Sequence, residues 1–139
     1  MNYTYVMDCV ILLIFMLFSH IIDDYYLQGI LASMKQKSWW KKNCPSHLYK
    51  YYENDYIIAL IEHAFSWTVM INIPIIVHFY IKSIQINPVI FIILFIINWV
   101  VHAMTDNAKA NLYEINLIQD QCIHIMQVII TWFIFIFLN

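Results

Sequence analysis

The chain has 139 residues, of which 63% are hydrophobic and 12% charged, with a mean hydropathy of +0.68 and a formal net charge of −2. A soluble domain is about half apolar and about a quarter charged, so this balance indicates an integral membrane protein. The one glycine excludes a phosphate loop or dinucleotide fingerprint, the charge argues against a nucleic-acid partner, and Cys9, Cys44 and Cys122, with no CxxC pair, argue against a zinc ribbon or thioredoxin-type site.

The apolar runs predict an all-α fold, a single polytopic domain over 1–139 built as an integral membrane bundle of four transmembrane helices. The first span covers about 5–22, because a bilayer core takes ~20 apolar residues as a helix. Its run VILLIFMLF ends at Ser19, and the helix is expected to continue through His20 and Asp24 to Gln28. Lacking a basic N-terminal region and a small-residue cleavage site, this run reads as an anchor and not as a cleavable signal. A polar, lysine-rich loop over about 29–55 follows, with Lys35, Lys37, Lys41, Lys42 and Lys50 around Trp39 and Trp40. Lysines there face lipid headgroups, tryptophans sit in the interface, and Pro45 breaks any helix.

The second span, about 56–81, carries Glu62 and His63 near its start, Pro74 as a kink and His78 near its far end. The third, about 88–106, opens with Pro88 in a favoured first helical position and ends on His102 and Asp106. The fourth, about 114–138, starts with Asp120, Gln121 and His124. Five lysines in the first connection and Lys109 in the third, against Lys82 alone in the second, place the first and third connections in the cytoplasm by the positive-inside rule. The expectation is a multi-pass protein of the inner (cytoplasmic) membrane with both termini outside the cytoplasm.

Alternating spans bring His20, His63, His102 and His124 to one depth on the cytoplasmic side. His20 and Asp24 are four residues apart, as are His102 and Asp106, and Asp120 and His124, so each pair shares a helix face. His78 falls ~22 Å deeper at 1.5 Å per residue, and His47 lies in the loop, so both are set aside. Glu62 points ~100° away from His63 on a 3.6-residue helix, and Asp23 is expected to be solvated.

Imidazoles and carboxylates without thiolates suit a divalent metal such as zinc, manganese or iron. The candidate ligands are His20, Asp24, His63, His102, Asp106, Asp120 and His124, more than one tetrahedral ion needs. Lys109, two turns after His102, is placed to hold a phosphate, and Gln28 and Gln121 to orient water or substrate. Each intramembrane His also has a plainer use as a hydrogen bond between helices, and each Asp/His pair as a neutralised packing pair. Convergence of four helices at one depth favours a site, since ionisable groups in spans face the bundle interior.

The order of these groups resembles a family of small bacterial and phage membrane proteins named only as a domain of unknown function (DUF3307). The shared pattern is His20-x-x-x-Asp24-x-x-x-Gln28, a basic segment, His63, His102-x-x-x-Asp106-x-x-Lys109, and Asp120-Gln121-x-x-His124, which covers nearly the whole chain. The resemblance implies Asp24 and not Asp23 as the site position, and implies no activity. The expected function is that of a metal-dependent hydrolase acting on phosphate or lipid esters at the cytoplasmic membrane face. Two alternatives stay open: a non-enzymatic proton or ion pathway or membrane-acting phage or defence factor, and a small structural subunit of a membrane complex. The expected partners are the lipid bilayer and either a second copy or another membrane protein, with no nucleic acid.

Overall fold

The computed structural model describes residues 3–138. Helix α1 (Tyr3–Ile22) passes directly into a π-helical turn, Asp23–Leu27. The chain then reverses at Gly29, whose φ of +50° is a conformation that other residues rarely adopt. Three short helices follow, α2 (Leu31–Met34), α3 (Lys37–Asn43) and α4 (Tyr49–Tyr52). The long α5 (Asp55–Lys82) runs unbroken through Pro74. Helix α6 (Pro88–Asn107) ends in a second π turn, Ala108–Leu112, and α7 (Leu117–Phe137) completes the chain.

Four segments, Tyr3–Leu27, Tyr49–Lys82, Pro88–Leu112 and Leu117–Phe137, are long and apolar enough to cross a membrane, and no strand occurs among the described residues. The protein is therefore an all-α, multi-pass four-helix bundle, as its composition implies. Helix α1 packs between α5 and α7, and α6 closes the ring on the other side. The end of the bundle that carries the chain termini is apolar, with Leu12, Ile71, Ile75, Phe79, Leu94, Val128 and Phe135 packed at its centre. Outward-facing Ile14, Phe15, Ile92, Ile96 and Phe133 are more than half exposed. In water this surface would drive aggregation; in lipid it costs nothing, since acyl chains are as apolar as the side chains.

Local chemistry sets the helix ends. The Asn87 side chain caps α6 by accepting from the Val89 and Ile90 amides, with Pro88 in the first turn as expected. The fourth span starts at Leu117 and not near Glu114, because Tyr113 takes a left-handed conformation that ends the π turn, and Asn116 and Gln119 form a capping box. The first helix continues past Ile22 to Leu27, as its sequence implies, because the π turn extends α1 without a break.

The connection between the first two spans is folded and not simply solvated. Trp40 stacks on Tyr52 and donates to the Met34 carbonyl at 2.7 Å. Asn111 of the second π turn pins it, accepting from the Lys37 amide at 2.7 Å and donating to the Lys35 carbonyl at 3.0 Å. Lys37, Lys41, Lys42 and Lys50 are exposed as expected. Lys35 is not: it is 7% exposed and points into the bundle. Replacing Asn116 by alanine removes the α7 cap and is predicted to cost about 1 kcal/mol, read as a lowered unfolding midpoint in detergent.

Candidate functional site

At the loop end of the bundle each long helix contributes to one buried polar cluster. His20 comes from the last turn of α1, His63 from α5, His102 and Asp106 from α6, and Asp120 and His124 from the start of α7; all are at most 2% exposed. The four-residue spacings put each pair on an inward face, and the predicted common depth of the four histidines is what the helices deliver.

Asp23 and Asp24 are both buried, which corrects the expectation that Asp23 is solvated. The π turn is the physical reason: it adds a residue to the turn and shifts the register at a site where two successive acids must face inward. Ser66 donates to Asp23 Oδ1 at 2.7 Å, and Asp23 Oδ2 lies 3.7 Å from His63 Nδ1. Glu62 is exposed, in line with its place on the helix, while His47 is exposed in the connection and His78 sits half-buried beside Phe79.

The centre of the cluster is compact. His63 Nε2 and His102 Nε2 are 3.2 Å apart, so only one of them can carry a hydrogen between them. Asp24 Oδ1 lies 3.3 Å from His63 Nε2 and 3.8 Å from His102 Nε2; Asp106 Oδ2 lies at the same two distances, 3.3 and 3.8 Å. A tetrahedral ion with bonds of about 2.0–2.1 Å separates its ligand atoms by about 3.3 Å, so these spacings suit one ion. Asp24, His63 and His102 offer ligand atoms within 4.8 Å of one another, and so do His102, Asp106 and His124. The second oxygen of Asp106 faces His124 Nε2 at 3.5 Å, and Asp120 Oδ1 lies 3.4 Å from the same nitrogen.

His20 stands apart from this centre. Its Nδ1 accepts from Trp67 Nε1 at 2.8 Å and lies 3.7 Å from Asp24 Oδ2, so it buttresses Asp24 and is not grouped with the ligand atoms. Trp67 is the residue that orders the imidazoles: fully buried, it stacks on His102 at 4.2 Å, and His102 in turn stacks on His124 at 4.0 Å. Spacing alone did not single it out, although it lies one turn after His63 on the same face. The same holds for a polar chain below the site, where His124 Nδ1 faces Gln127 Oε1 at 3.2 Å, Gln127 donates to the Asn98 carbonyl and Asn98 to Thr131 Oγ1.

The three residues expected to act on substrate divide. Gln121 donates at 3.1 Å to both Asp24 Oδ2 and Asp120 Oδ2, tying α7 to the first π turn. Lys109 Nζ lies 2.5 Å from Asp120 Oδ2 and 3.8 Å from Asp106 Oδ1. Gln28 does not reach the cluster; it lines an open cavity of 350 Å³ with Tyr25, Tyr26, Lys35, Lys109 and Gln121. Lys35, expected among the headgroup lysines, places Nζ 2.6 Å from Asp106 Oδ2.

Electrostatics decides what the cluster can hold. If all ionised, Asp23, Asp24, Asp106 and Asp120 would carry four negative charges against the two positive ones of Lys35 and Lys109. The remainder, two negative charges in an apolar surround, equals the charge of one divalent cation, or of two protons shared among the imidazoles.

Comparison with protein-family models, with curated proteins and with solved structures finds no match to this chain, so the resemblance to DUF3307 stands on its motifs alone. Lys35→Ala leaves Asp106 without its ammonium partner and is predicted to destabilise the metal-free protein by about 3 kcal/mol in detergent unfolding, with Lys37→Ala within about 0.5 kcal/mol of the parent.

Proposed function

We propose that this protein is a metal-dependent hydrolase of the inner membrane, with its site at the cytoplasmic face and phosphate or lipid esters as substrates. One observation carries the reading: the ring nitrogens of His63 and His102 lie 3.2 Å apart, and each faces a carboxylate oxygen of Asp24 and one of Asp106 at 3.3–3.8 Å, close to the spacing of ligand atoms around a single ion. The exposed lysines of the connecting segment and Lys109 support the cytoplasmic orientation, with both termini on the opposite side.

Asp24, His63, His102 and Asp106 would hold the ion, which would supply a water-derived nucleophile at neutral pH for hydrolysis of the ester P–O bond, the released alcohol and phosphate taking up the two protons of the water. Lys109, beside the cavity mouth, is the group that meets the phosphoryl oxygens, and Gln121 orders the carboxylates. Zinc fits a four-coordinate nitrogen and oxygen set; manganese or iron would add water ligands.

A proton or ion pathway is the second reading, favoured by the buried chain from His124 through Gln127 and Asn98 to Thr131. Against it, Leu12, Phe79, Leu94 and Phe135 form an apolar layer beyond Thr131. The test is metal content of protein purified in detergent without chelators. Close to one zinc, manganese or iron per chain is expected, with at most about a tenth retained in His63→Ala or His102→Ala, since loss of one ligand from a buried site costs several kcal/mol. Absence of metal from the parent protein, together with selective proton flux in liposomes, would replace this reading by the second.

A further inference from the structure

The cavity beside the cluster does not end at the water side. A second cavity of 610 Å³ shares Tyr25, Tyr26 and Gln121 with it and continues between α1 and α7 along Leu17, Ile21 and Ile125, with His20 in its wall. Leu17 and Ile21 are one helical turn apart on α1, and Gln121 and Ile125 one turn apart on α7, so the apolar part runs about one turn, ~6 Å, into the membrane-facing groove. Ile21 and Ile125 are partly exposed on the outer surface, so the groove is open sideways to lipid. Farther along, Trp132 donates to the Cys9 carbonyl at 2.8 Å and ties α7 to α1.

We infer that the two cavities together form a single site for a membrane lipid whose head is a phosphate group, with the phosphate against Lys109, Lys35 and Gln121 and the start of its hydrocarbon chain between α1 and α7. This names the substrate class of the proposed hydrolase and rests on that reading only for catalysis; the binding site stands on its own geometry. The charged groups lining the polar half are two ammonium groups, of Lys35 and Lys109, against the one carboxylate of Asp24. Both ammonium groups also pair inward, with Asp106 and Asp120, but each keeps further N–H donors for a phosphoryl oxygen, an acceptor that a quaternary ammonium head does not offer. The polar–apolar join falls at Gln121, whose amide contacts Asp24 and Asp120, so a phosphate lodged there borders the His/Asp cluster while its chain never leaves the bilayer. A water-soluble phosphate ester would leave the Leu17–Ile21–Ile125 groove unused.

The experiment uses the full chain in mild detergent and native mass spectrometry, with dodecyl phosphate as the probe and dodecyltrimethylammonium and inorganic phosphate as controls. One dodecyl phosphate per chain is expected. Ile125→Trp, which fills the groove at a membrane-facing position, should weaken it about tenfold or more, and Lys109→Gln, which removes a charge-assisted contact, about 10- to 100-fold. Ile130→Trp, outside the cavity on the same helix, should bind as the parent does, which separates groove filling from general damage. The inference is overturned if no dodecyl phosphate is retained, if Ile125→Trp retains it unchanged, if the ammonium amphiphile is retained equally, or if equimolar inorganic phosphate displaces the probe. Metal content of the same samples keeps the two ideas apart: metal without lipid binding sinks this inference alone, and lipid binding without metal sinks the hydrolase reading alone.

Discussion

The Asp106 carboxylate is the constraint around which the rest of the structure is arranged. It is 1% exposed in a bundle whose outer surface is hydrocarbon, so its charge has no water to rely on. Its two oxygens meet Lys35 at 2.6 Å, His63 at 3.3 Å, His124 at 3.5 Å, and His102 and Lys109 each at 3.8 Å. Lys35, His63 and His124 come from three other parts of the chain, so satisfying one charge fixes the register of α5, α6 and α7 and draws the first connection back over the site. Burying an ionised carboxylate without such compensation costs several kcal/mol, a large part of a domain's net stability. The local irregularities follow from this. Gly29 permits the reversal that returns Lys35, and the two π turns shift the register where α1 and α6 reach the site.

The bundle is asymmetric for the same reason. Its terminal half is a packed apolar core with no preferred register of its own, since Leu, Ile and Phe repack at low cost. Directional bonds in the site half choose among those packings. Trp67 joins the halves: its indole nitrogen holds His20 and its face carries His102, while Ile71 and Ile75 continue the same stripe of α5 downward. A rigid polar end on an adaptable apolar end provides precise placement without requiring precise packing throughout.

Much of this was legible in the sequence, and the parts that were not share a cause. Four apolar runs of membrane length, Pro88 at a helix start, and the i, i+4 pairs His20/Asp24, His102/Asp106 and Asp120/His124 all depend on local periodicity, and all appear where expected. Asp23 was misjudged because helical periodicity assumes 3.6 residues per turn, and a π turn breaks that assumption without any proline or glycine to announce it. Lys35 was misjudged because nothing near it in sequence distinguishes it from Lys37 or Lys41; what turns it inward, the Asp106 carboxylate and the Asn111 contacts, lies more than seventy residues away. Trp67, Asn98, Gln127 and Thr131 are a different failure. Each lies on the same helix face as a predicted site residue, so the spacing carries the signal, but an uncharged side chain does not interrupt an apolar span as an ionisable one does.

Lys35 is also where the cluster and the cavity meet. Its Nζ lies 2.6 Å from Asp106 Oδ2, and the same side chain lines the open cavity beside Lys109. On the proposed reading, Asp24, His63, His102 and Asp106 would hold the ion, whose charge would offset the carboxylates that the two ammonium groups leave unmatched. The ion and Lys35 would then compete for the same Asp106 oxygen, so a lysine that packs the cluster without metal is also the side chain whose contact metal binding would weaken first.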